Sequence, residues 1–577
     1  MTPTSPTLTR LLPFLRWRET WARTGVHGDL IAGISVALVM IPQSLAYAQL
    51  GGFPPHYGLY AAMLPAIVAA LFGSCAYLST GAVALTGMLT AASIAPLAAA
   101  DSPQFIALGI VLALVAGLIQ LALGLLRQGW VLNLLSRPVF SGFINAATLL
   151  ICFSQLPVLL GATGRRSPNL TDELARVVEA MAHPHVHTLA FGLAALVALR
   201  LFQRFLPRLP GVLVVVAVAI LVSEASGFAS QGGAVVGLIP AALPAFGMPD
   251  LPDWESLAAL LPAAFVVALV SFLEAASSAK RLSERAGVHW DENQELIGQG
   301  LGKVAAAFSG TLPTSASFSR SALNYSTGAR TGLSQIITAA IVIAATLSLA
   351  HLLHALPKAV LAAIILHAVG NLIDFKSMLR VWRVDRDDGL AAWATFAATL
   401  TFAPNIQNGI LTGLLLSLSL LIWRSMKPRI ALLGLHEDST YRDLERFDLQ
   451  HPHPRMSILR FDGPLHFINA ARFVEAMDWA RRAQPDVKIV VLSGAGINAI
   501  DTTGLDALVQ VVASMESAGQ TLAMCGLKKQ VIDVLERDPV WQRIEAHAGY
   551  RHEHAAVEAL APLLDAEKSF DNEHLGS

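Results

Sequence analysis

Apolar residues run almost unbroken from Leu30 to Leu126, with Asp101 the only charged side chain among them and the pairs Gly51-Gly52 and Pro54-Pro55 dividing the stretch. A helix needs about 20 apolar residues to cross a bilayer, so the pattern predicts crossings near 30–49, 57–73, 79–97 and 104–126. Further charge-free runs lie at 138–164, 187–199, 209–223, 256–273, 331–357, 359–373 and 389–423. The last is long enough for two helices, broken at Pro404-Asn405, and two short polar segments near 293–310 and 316–328 bring the expected number of crossings to fourteen.

The loops between these runs carry a sidedness. Lys and Arg are retained on the cytoplasmic side of a membrane, and here every second loop is basic: Arg127 and Arg137; Arg200, Arg204 and Arg208; Lys280, Arg281 and Arg285; Arg330; Lys376, Arg380, Arg383 and Arg386; Arg424, Lys427 and Arg429. The loop at 224–255, expected outside, carries only Glu224, Asp250, Asp253 and Glu255. The N-terminus, with Arg10, Arg16, Arg18 and Arg23, and the C-terminal tail therefore both read as cytoplasmic.

Composition sharpens the division. Only 14% of the 577 residues are charged, against about 25% in soluble domains, and the mean hydropathy is +0.56. A single core stops growing near about 250–300 residues, so most of the chain belongs in lipid. Of the 81 charged residues, 36 fall within 431–577, which marks a soluble tail. The expected organisation is a cytoplasmic segment at 1–28, a membrane body at 29–430, a linker at 431–455, a small α/β domain at 456–565 and a flexible tail at 566–577. The first 28 residues contain no apolar stretch of the kind a cleavable signal peptide needs. A net charge of -1 gives no basic field for nucleic acid. Cys75, Cys152 and Cys525 match neither a disulfide framework nor a zinc site, and His351, His354 and His367 lack metal-ligand spacing, so neither a metal nor a cofactor is expected. The absence of Walker, HExxH and GxSxG patterns argues against a pump ATPase or a membrane hydrolase.

The body reads as duplicated. The broken helix at 30–49 corresponds to the one bearing Glu274, and Ser79-Thr80-Gly81-Ala82 corresponds to Ser317-Phe318-Ser319-Arg320. Seven crossings per repeat is an odd number, so the second repeat would be inverted, and paired short, broken segments point to a midplane site.

Glu274 stands in an otherwise apolar helix, where a carboxylate is costly and is expected to have a role, here reversible protonation. Ser278, one turn later, shares its face. The competing reading places Glu274 at a helix end, snorkelling towards Lys280 and Arg281. The stretch Thr311 to Ser321 is rich in hydroxyls and suits a loop opening a half-helix whose free N–H groups face an anion, with Arg320 adding a permanent charge. The alternative there is an extramembrane loop with a solvated Arg. Gln43 and Tyr47, one turn apart beside Pro42, either line a cavity or pack a kink. In the tail, strands at 456–461, 487–492 and 521–525 alternate with a helix over 503–518, and Asp501-Thr502-Thr503-Gly504 sits at a strand-to-helix junction where Asp can cap and the hydroxyls are open to phosphorylation.

Taken together, Asp29-Leu-Ile-Ala-Gly-Ile-Ser-Val-Ala-Leu, Ile41-Pro-Gln-Ser-Leu-Ala-Tyr-Ala, Gly58-Leu-Tyr, Ser79-Thr-Gly, Ser319-Arg-Ser-Ala-Leu-Asn and Gly328-Ala-Arg-Thr resemble the sulfate permease (SulP) superfamily, which includes prestin. The tail resembles its STAS domain. The resemblance covers nearly the whole chain. It implies an α-helical polytopic membrane protein with 14 transmembrane segments in a 7+7 inverted repeat, built from uracil-transporter-like core and gate domains that move by an elevator-like motion, followed by a cytoplasmic α/β STAS domain. It implies an anion site at Gln43, Tyr47, Gly81, Ala82, Val83, Ser317, Phe318, Ser319 and Arg320, with Glu274 at the position of proton coupling in some members and Ser278 beside it. Ala82 departs from the family, which often has proline there. Thr502 falls where anti-sigma antagonists carry a phosphorylated Ser, so Asp501, Thr502 and Thr503 are the expected regulatory residues. The expected function is a proton-coupled sulfate symporter of a bacterial inner membrane, not an enzyme, working as a homodimer with a cytoplasmic protein partner for its STAS domain. A bicarbonate or C4-dicarboxylate transporter, an uncoupled anion channel and a membrane-anchored STAS sensor are the alternatives.

Overall fold

A computed structural model describes residues 12–162, 170–206 and 210–574. Arg10 and Arg208 of the basic loops, the last residues of the 138–164 run and the final residues, 575–577, of the expected tail lie outside the described residues. The chain divides into two compact units between Ser417 and Leu418.

Helices occupy all fourteen expected positions in the first unit and the start of the second. They are α1 (His27–Leu50), α2 (His56–Phe72), α3 (Ala84–Ile94), α4 (Pro103–Leu125), α5 (Arg137–Leu160), α6 (Val186–Phe205) and α7 (Gly211–Ala225), then α8 (Trp254–Ala286), α9 (Glu292–Phe308), α10 (Phe318–Ser326), α11 (Leu333–Leu349), α12 (Lys358–Gly370), α13 (Arg386–Thr401) and α14 (Ile406–Met426). Among the described residues eight helices are long and apolar enough to cross a membrane; α2, α3 and α7 are shorter apolar helices. The chain is thus a multi-pass membrane protein. Two expected crossings are not continuous helices. The stretch at 57–73 is a pair, His56–Ala61 and Leu64–Phe72, because Pro65 has no N–H to continue the first helix and instead opens the second. The stretch at 79–97 begins as a short strand, β1 (Thr80–Gly81), and only then becomes α3. Its counterpart in the second half is β2 (Ser315–Ala316) followed by α10.

The packing pattern repeats with a shift of seven helices. The pair α4–α9 answers α11–α2, α1–α11 answers α8–α4, α1–α10 answers α8–α3, and α13–α5 answers α6–α12. In these four pairs the helices of one half meet partners equivalent to those met in the other. Helices α1–α4 and α8–α11 gather in one group, and α5–α7 and α12–α14 in another. Small residues set the closest approach: a Cβ on Gly117 of α4 would lie 2.9 Å from the Gly300 carbonyl oxygen and from Lys303 Cβ of α9. Close backbone contact of this kind is how helices gain packing where lipid offers no hydrophobic drive.

In the second unit a five-stranded sheet has the order β4-β3-β5-β6-β7, from β3 (Arg429–Leu435), β4 (Tyr441–Asp443), β5 (Met456–Asp462), β6 (Ile489–Ser493) and β7 (Thr521–Cys525). Strand β3 runs antiparallel to β4 and β5, whereas β5, β6 and β7 are parallel. The parallel strands read as near-continuous apolar runs because both faces are covered. One face packs on α15 (Ala470–Arg481) and α16 (Thr502–Ser517), and the other on α17 (Glu553–His574). The stretch 431–455, expected as a linker, carries most of β3 and all of β4; Ala431 and Leu433 fill one core face and Leu432 the other.

Candidate functional site

Two half-helices begin at one place in the membrane unit. Strands β1 and β2 pair antiparallel, Thr80 opposite Ala316 and Gly81 opposite Ser315, and the Ser317 N–H donates to the Ser79 carbonyl at 3.0 Å. Helix α3 starts immediately after Val83 and α10 immediately after Ser317, and neither helix has a side-chain cap. Their free N–H groups therefore remain available, and helix N-termini favour negative charge. Gly81 packs closely here: a Cβ there would lie 2.5 Å from Met40 Cε of α1, the mobile end of that side chain.

Arg320 sits in the first turn of α10 with no surface exposure. Its guanidinium donates to Ala82 O at 3.0 Å, Ser79 Oγ at 3.4 Å and Gln43 Oε1 at 3.5 Å. The solvated-loop reading of Arg320 therefore does not hold, and the same bonds draw Gln43, Ser79 and Ala82 around one buried cation, with Gly81 between Ser79 and Ala82 in the chain. Glu274 is 4% exposed and lies some three turns before the end of α8, too deep to snorkel towards Lys280 and Arg281. Its Oε2 accepts from Ser315 Oγ at 3.2 Å.

A cavity of about 310 Å³ adjoins these groups, roughly twenty times the ~15 Å³ that one water needs. Tyr47, Val83, Glu274, Ser278, Ser317, Phe318 and Ser319 line it, together with Ala368, Val369, Asn371 and Leu372 at the end of α12. Arg281 and Arg285 line it too, on the stretch expected at the cytoplasmic face. Of the residues expected at the site, Gln43, Gly81, Ala82 and Arg320 are not in this wall; Gly81 is part of β1, and Arg320 bonds to Ala82, the residue after it, and to Gln43.

Several buried polar residues escaped the sequence reading. Asp29, fully buried at the start of α1, accepts from the N–H groups of Arg330 and Thr331 at 2.7 and 2.9 Å and from the Thr331 hydroxyl at 2.7 Å, and so fastens α1 to the loop before α11. Glu295 on α9 accepts from the N–H groups of Ser74 and Cys75 at 3.0 and 2.8 Å and from Gln299 Nε2 at 3.0 Å. Lys303, also on α9, is fully buried and donates to Gln120 Oε1 at 3.0 Å. The signal was present: Glu295 and Lys303 are charges inside an expected crossing, and such residues are functional candidates by default.

In the second unit Asp501 caps α16, its carboxylate accepting from the Gly504 N–H at 2.7 Å and the Phe467 N–H at 2.9 Å. Burial pushes this carboxyl up, and the two N–H donors outweigh it, leaving it below the ordinary Asp range. Thr502 and Thr503 are exposed at the same helix start. Among the described residues no group of His, Cys, Asp and Glu is arranged to hold a metal ion.

Comparison with known proteins identifies relatives of both units. The sulfate permease family profile matches residues 26–429 and the STAS domain profile residues 450–545. The chain is 29% identical to sulfate transporter 4.1, chloroplastic, of Arabidopsis thaliana, over 98% of this chain and 84% of that one. It is 31% identical to a probable sulfate transporter of Mycobacterium tuberculosis, over 92% of this chain and 94% of that one. The solved structure of the murine solute carrier 26 family member A9 anion transporter in the inward-facing state superposes with a TM-score of 0.88 at 22% identity, covering 97% and 96% of the two chains.

Proposed function

The chain belongs to the sulfate permease family, and from that premise we propose that it is a secondary active anion transporter, a proton-coupled sulfate symporter working by elevator-type alternating access. The observation that carries the reading is the meeting of α3 and α10 at the paired strands β1 and β2, beside a cavity that contains one carboxyl group, Glu274. Two uncapped helix N-termini supply N–H donors and partial positive charge to an anion, and Arg320 behind them supplies a full one. Val83, Ser317, Phe318, Ser319 and Tyr47 form the contact wall, while Gln43, Gly81 and Ala82 hold it. Glu274, with Ser278 one turn on, carries the proton. Because the cavity wall combines α1, α3, α8 and α10 with the end of α12, motion of one helix group against the other opens and closes it.

The basic loops support an inner-membrane location with both termini cytoplasmic. The division into a segment at 1–28, a transport body at 29–430 and a STAS domain belongs to this reading, with the expected linker at 431–455 supplying β3 and β4 of the STAS sheet and α17 continuing from the expected 456–565 domain through the expected tail to His574; so do the dimer and a protein partner for the STAS domain. Exposed Thr502 beside the Asp501 cap is the position for a regulatory phosphate. Bicarbonate and C4-dicarboxylates remain the rival substrates, and an uncoupled channel the rival mechanism. Radiolabelled uptake into proteoliposomes separates them: sulfate, bicarbonate and succinate are each supplied under an imposed proton or sodium gradient. Accumulation of sulfate above its equilibrium level, driven by protons, is the expected result. Dissipative flux without accumulation under either gradient refutes coupling.

A further inference from the structure

The Lys303 amine has no surface exposure in the middle of the helix bundle, and its Nζ donates to Gln120 Oε1 at 3.0 Å. Gln120 in turn spends its amide N–H groups on Ala268 O at 2.6 Å and Ser271 Oγ at 3.1 Å. Both acceptors lie on α8, and Ser271 stands three residues before Glu274. The chain of contacts then closes through Ser315, whose hydroxyl has Ser271 O at 2.9 Å and Glu274 Oε2 at 3.2 Å within reach but only one hydrogen to give. An ionised Glu274 takes that hydrogen. A protonated Glu274 donates its own to Ser315 Oγ and turns the Ser315 hydrogen to Ser271 O. Lys303, Gln120, Ser271, Ser315 and Glu274 thus form one line of polar contacts, joined at Ser271 through its hydroxyl on the Gln120 side and its backbone carbonyl on the Ser315 side, in which the Ser315 hydroxyl alone changes acceptor with the state of the carboxyl.

The charges around this path include Arg281 and Arg285, later on α8, which share the cavity wall with Glu274. Glu274 interacts electrostatically with Lys303 and Arg320, and Lys303 with Glu274. Helices α2 and α4, packed against α9, contain no Asp, Glu, Lys or Arg, and His56 stands at the far start of α2. Glu295, two turns earlier on α9 than Lys303, is committed to the N–H groups of Ser74 and Cys75 and to Gln299. Arg320 directs its donors to Ser79, Gln43 and Ala82.

Resting on the reading of Glu274 as the proton carrier, we propose that Lys303 is its counter-charge, a positioning residue that makes release of the proton tolerable inside the bundle. A buried carboxylate needs compensating charge and hydrogen bonds, and an anion bound at the half-helices competes with Glu274 for the field of Arg320. With Lys303 and Arg320 both charged behind the wall and Arg281 and Arg285 in it, proton release from Glu274 adds one negative charge to the cavity and loosens a divalent anion there.

The test uses the full-length protein in proteoliposomes and two fluxes of radiolabelled sulfate. Net accumulation driven by a pH gradient requires the proton to leave in every cycle; sulfate–sulfate exchange does not. Lys303→Gln, which can keep the bond to Gln120, and Lys303→Met should each lower net accumulation by about tenfold or more while exchange stays within about threefold, and Lys303→Arg should restore accumulation. Should Lys303→Met fail to fold, Lys303→Gln carries the test. In a Glu274→Gln background, Lys303→Gln should alter exchange no further. Unchanged accumulation in Lys303→Gln overturns the proposal, as does an equal fall in exchange in both backgrounds, which would mark a role independent of Glu274. Proton-driven accumulation surviving Glu274→Gln alone is a different failure, that of the coupling reading itself.

Discussion

Replacing Arg320 by Gln removes the one permanent charge at the crossing of the half-helices, and two separable losses follow. The first is structural. Arg320 is fully buried and donates to Ser79 Oγ, Gln43 Oε1 and Ala82 O. A buried acceptor left without its donor costs about 1–3 kcal/mol. The shorter Gln amide replaces part of this set, so a fall of about 2–4 kcal/mol in stability is expected. The second loss is electrostatic and depends on the ligand. At an effective dielectric near 20 and a separation of about 10 Å, one unit charge feels about 1.7 kcal/mol from the guanidinium, and a divalent anion about twice that. Affinity for a monovalent anion should therefore drop by about tenfold to twentyfold, and for sulfate by a few hundredfold, at about 1.4 kcal/mol per decade. Arg320→Lys keeps the charge and should lose far less of the sulfate preference. Titration of the purified protein with sulfate and with nitrate, at fixed ionic strength, measures both affinities, and a thermal melt measures the stability term separately. Equal fold-losses for the two anions in Arg320→Gln would mean that Arg320 only braces β1, and the electrostatic reasoning would be wrong.

Glu274→Gln keeps an oxygen that can accept from Ser315 but carries no proton, so anion binding should persist within about threefold while pH-driven accumulation collapses to the equilibrium ratio; a gradient of one pH unit, worth about 1.4 kcal/mol, should then yield no tenfold concentration. Undiminished accumulation in flux measurements would exclude Glu274 as the carrier. In the STAS domain, Asp501→Ala should cost about 1 kcal/mol by removing the α16 cap, read as faster amide hydrogen exchange at Gly504 and Phe467. The Asp501 carboxyl lies below its unfolded value near about 3.9, so its contribution is present above that pH and disappears as the pH falls through the folded value. The wild-type domain should accordingly lose more stability on acidification below about pH 4 than Asp501→Ala does; parallel acid melts would contradict this. Truncation after Lys427, ahead of β3, should leave sulfate affinity within about threefold, since the proposed site lies wholly before residue 373, whereas a truncation at 437 strands β3 without β5 and should aggregate.

The helices were legible because lipid imposes one rule on every crossing, a charge-free run of sufficient length, and the runs from Leu30 onwards obey it. The inverted repeat was legible in the parity of seven and in the matching of Ser79-Thr80-Gly81 with Ser317-Phe318-Ser319. Its expression in the packing, with α4–α9 answering α11–α2, required coordinates. Strand β3 was hidden for a different reason. Residues 429–435 straddle the basic loop after the last crossing and the expected linker, and so short an apolar run shows no partner until β5 is seen to pair with it.

At the site, the same short sequence motifs supplied both the groups that face the cavity and those that stand behind it, without telling one set from the other. Tyr47, Glu274, Ser278 and Ser317 stand on short motifs, and each was expected where a half-helix or a broken helix would bring it to the midplane. Gln43, Arg320 and Ala82 belong to the same motifs, yet their bonds turn away from the cavity, because a guanidinium without water must satisfy its donors on whatever carbonyls and hydroxyls surround it. Lys303, Gln120 and Ser271 lie on three different helices, and no spacing in the chain links them. A charge in a membrane segment is visible in a sequence, but its partner is chosen by the fold. The reading of an intramembrane carboxyl as a proton carrier is therefore incomplete until the opposite charge that lets it ionise has been found, and here that charge is carried by α9, outside every recognised motif.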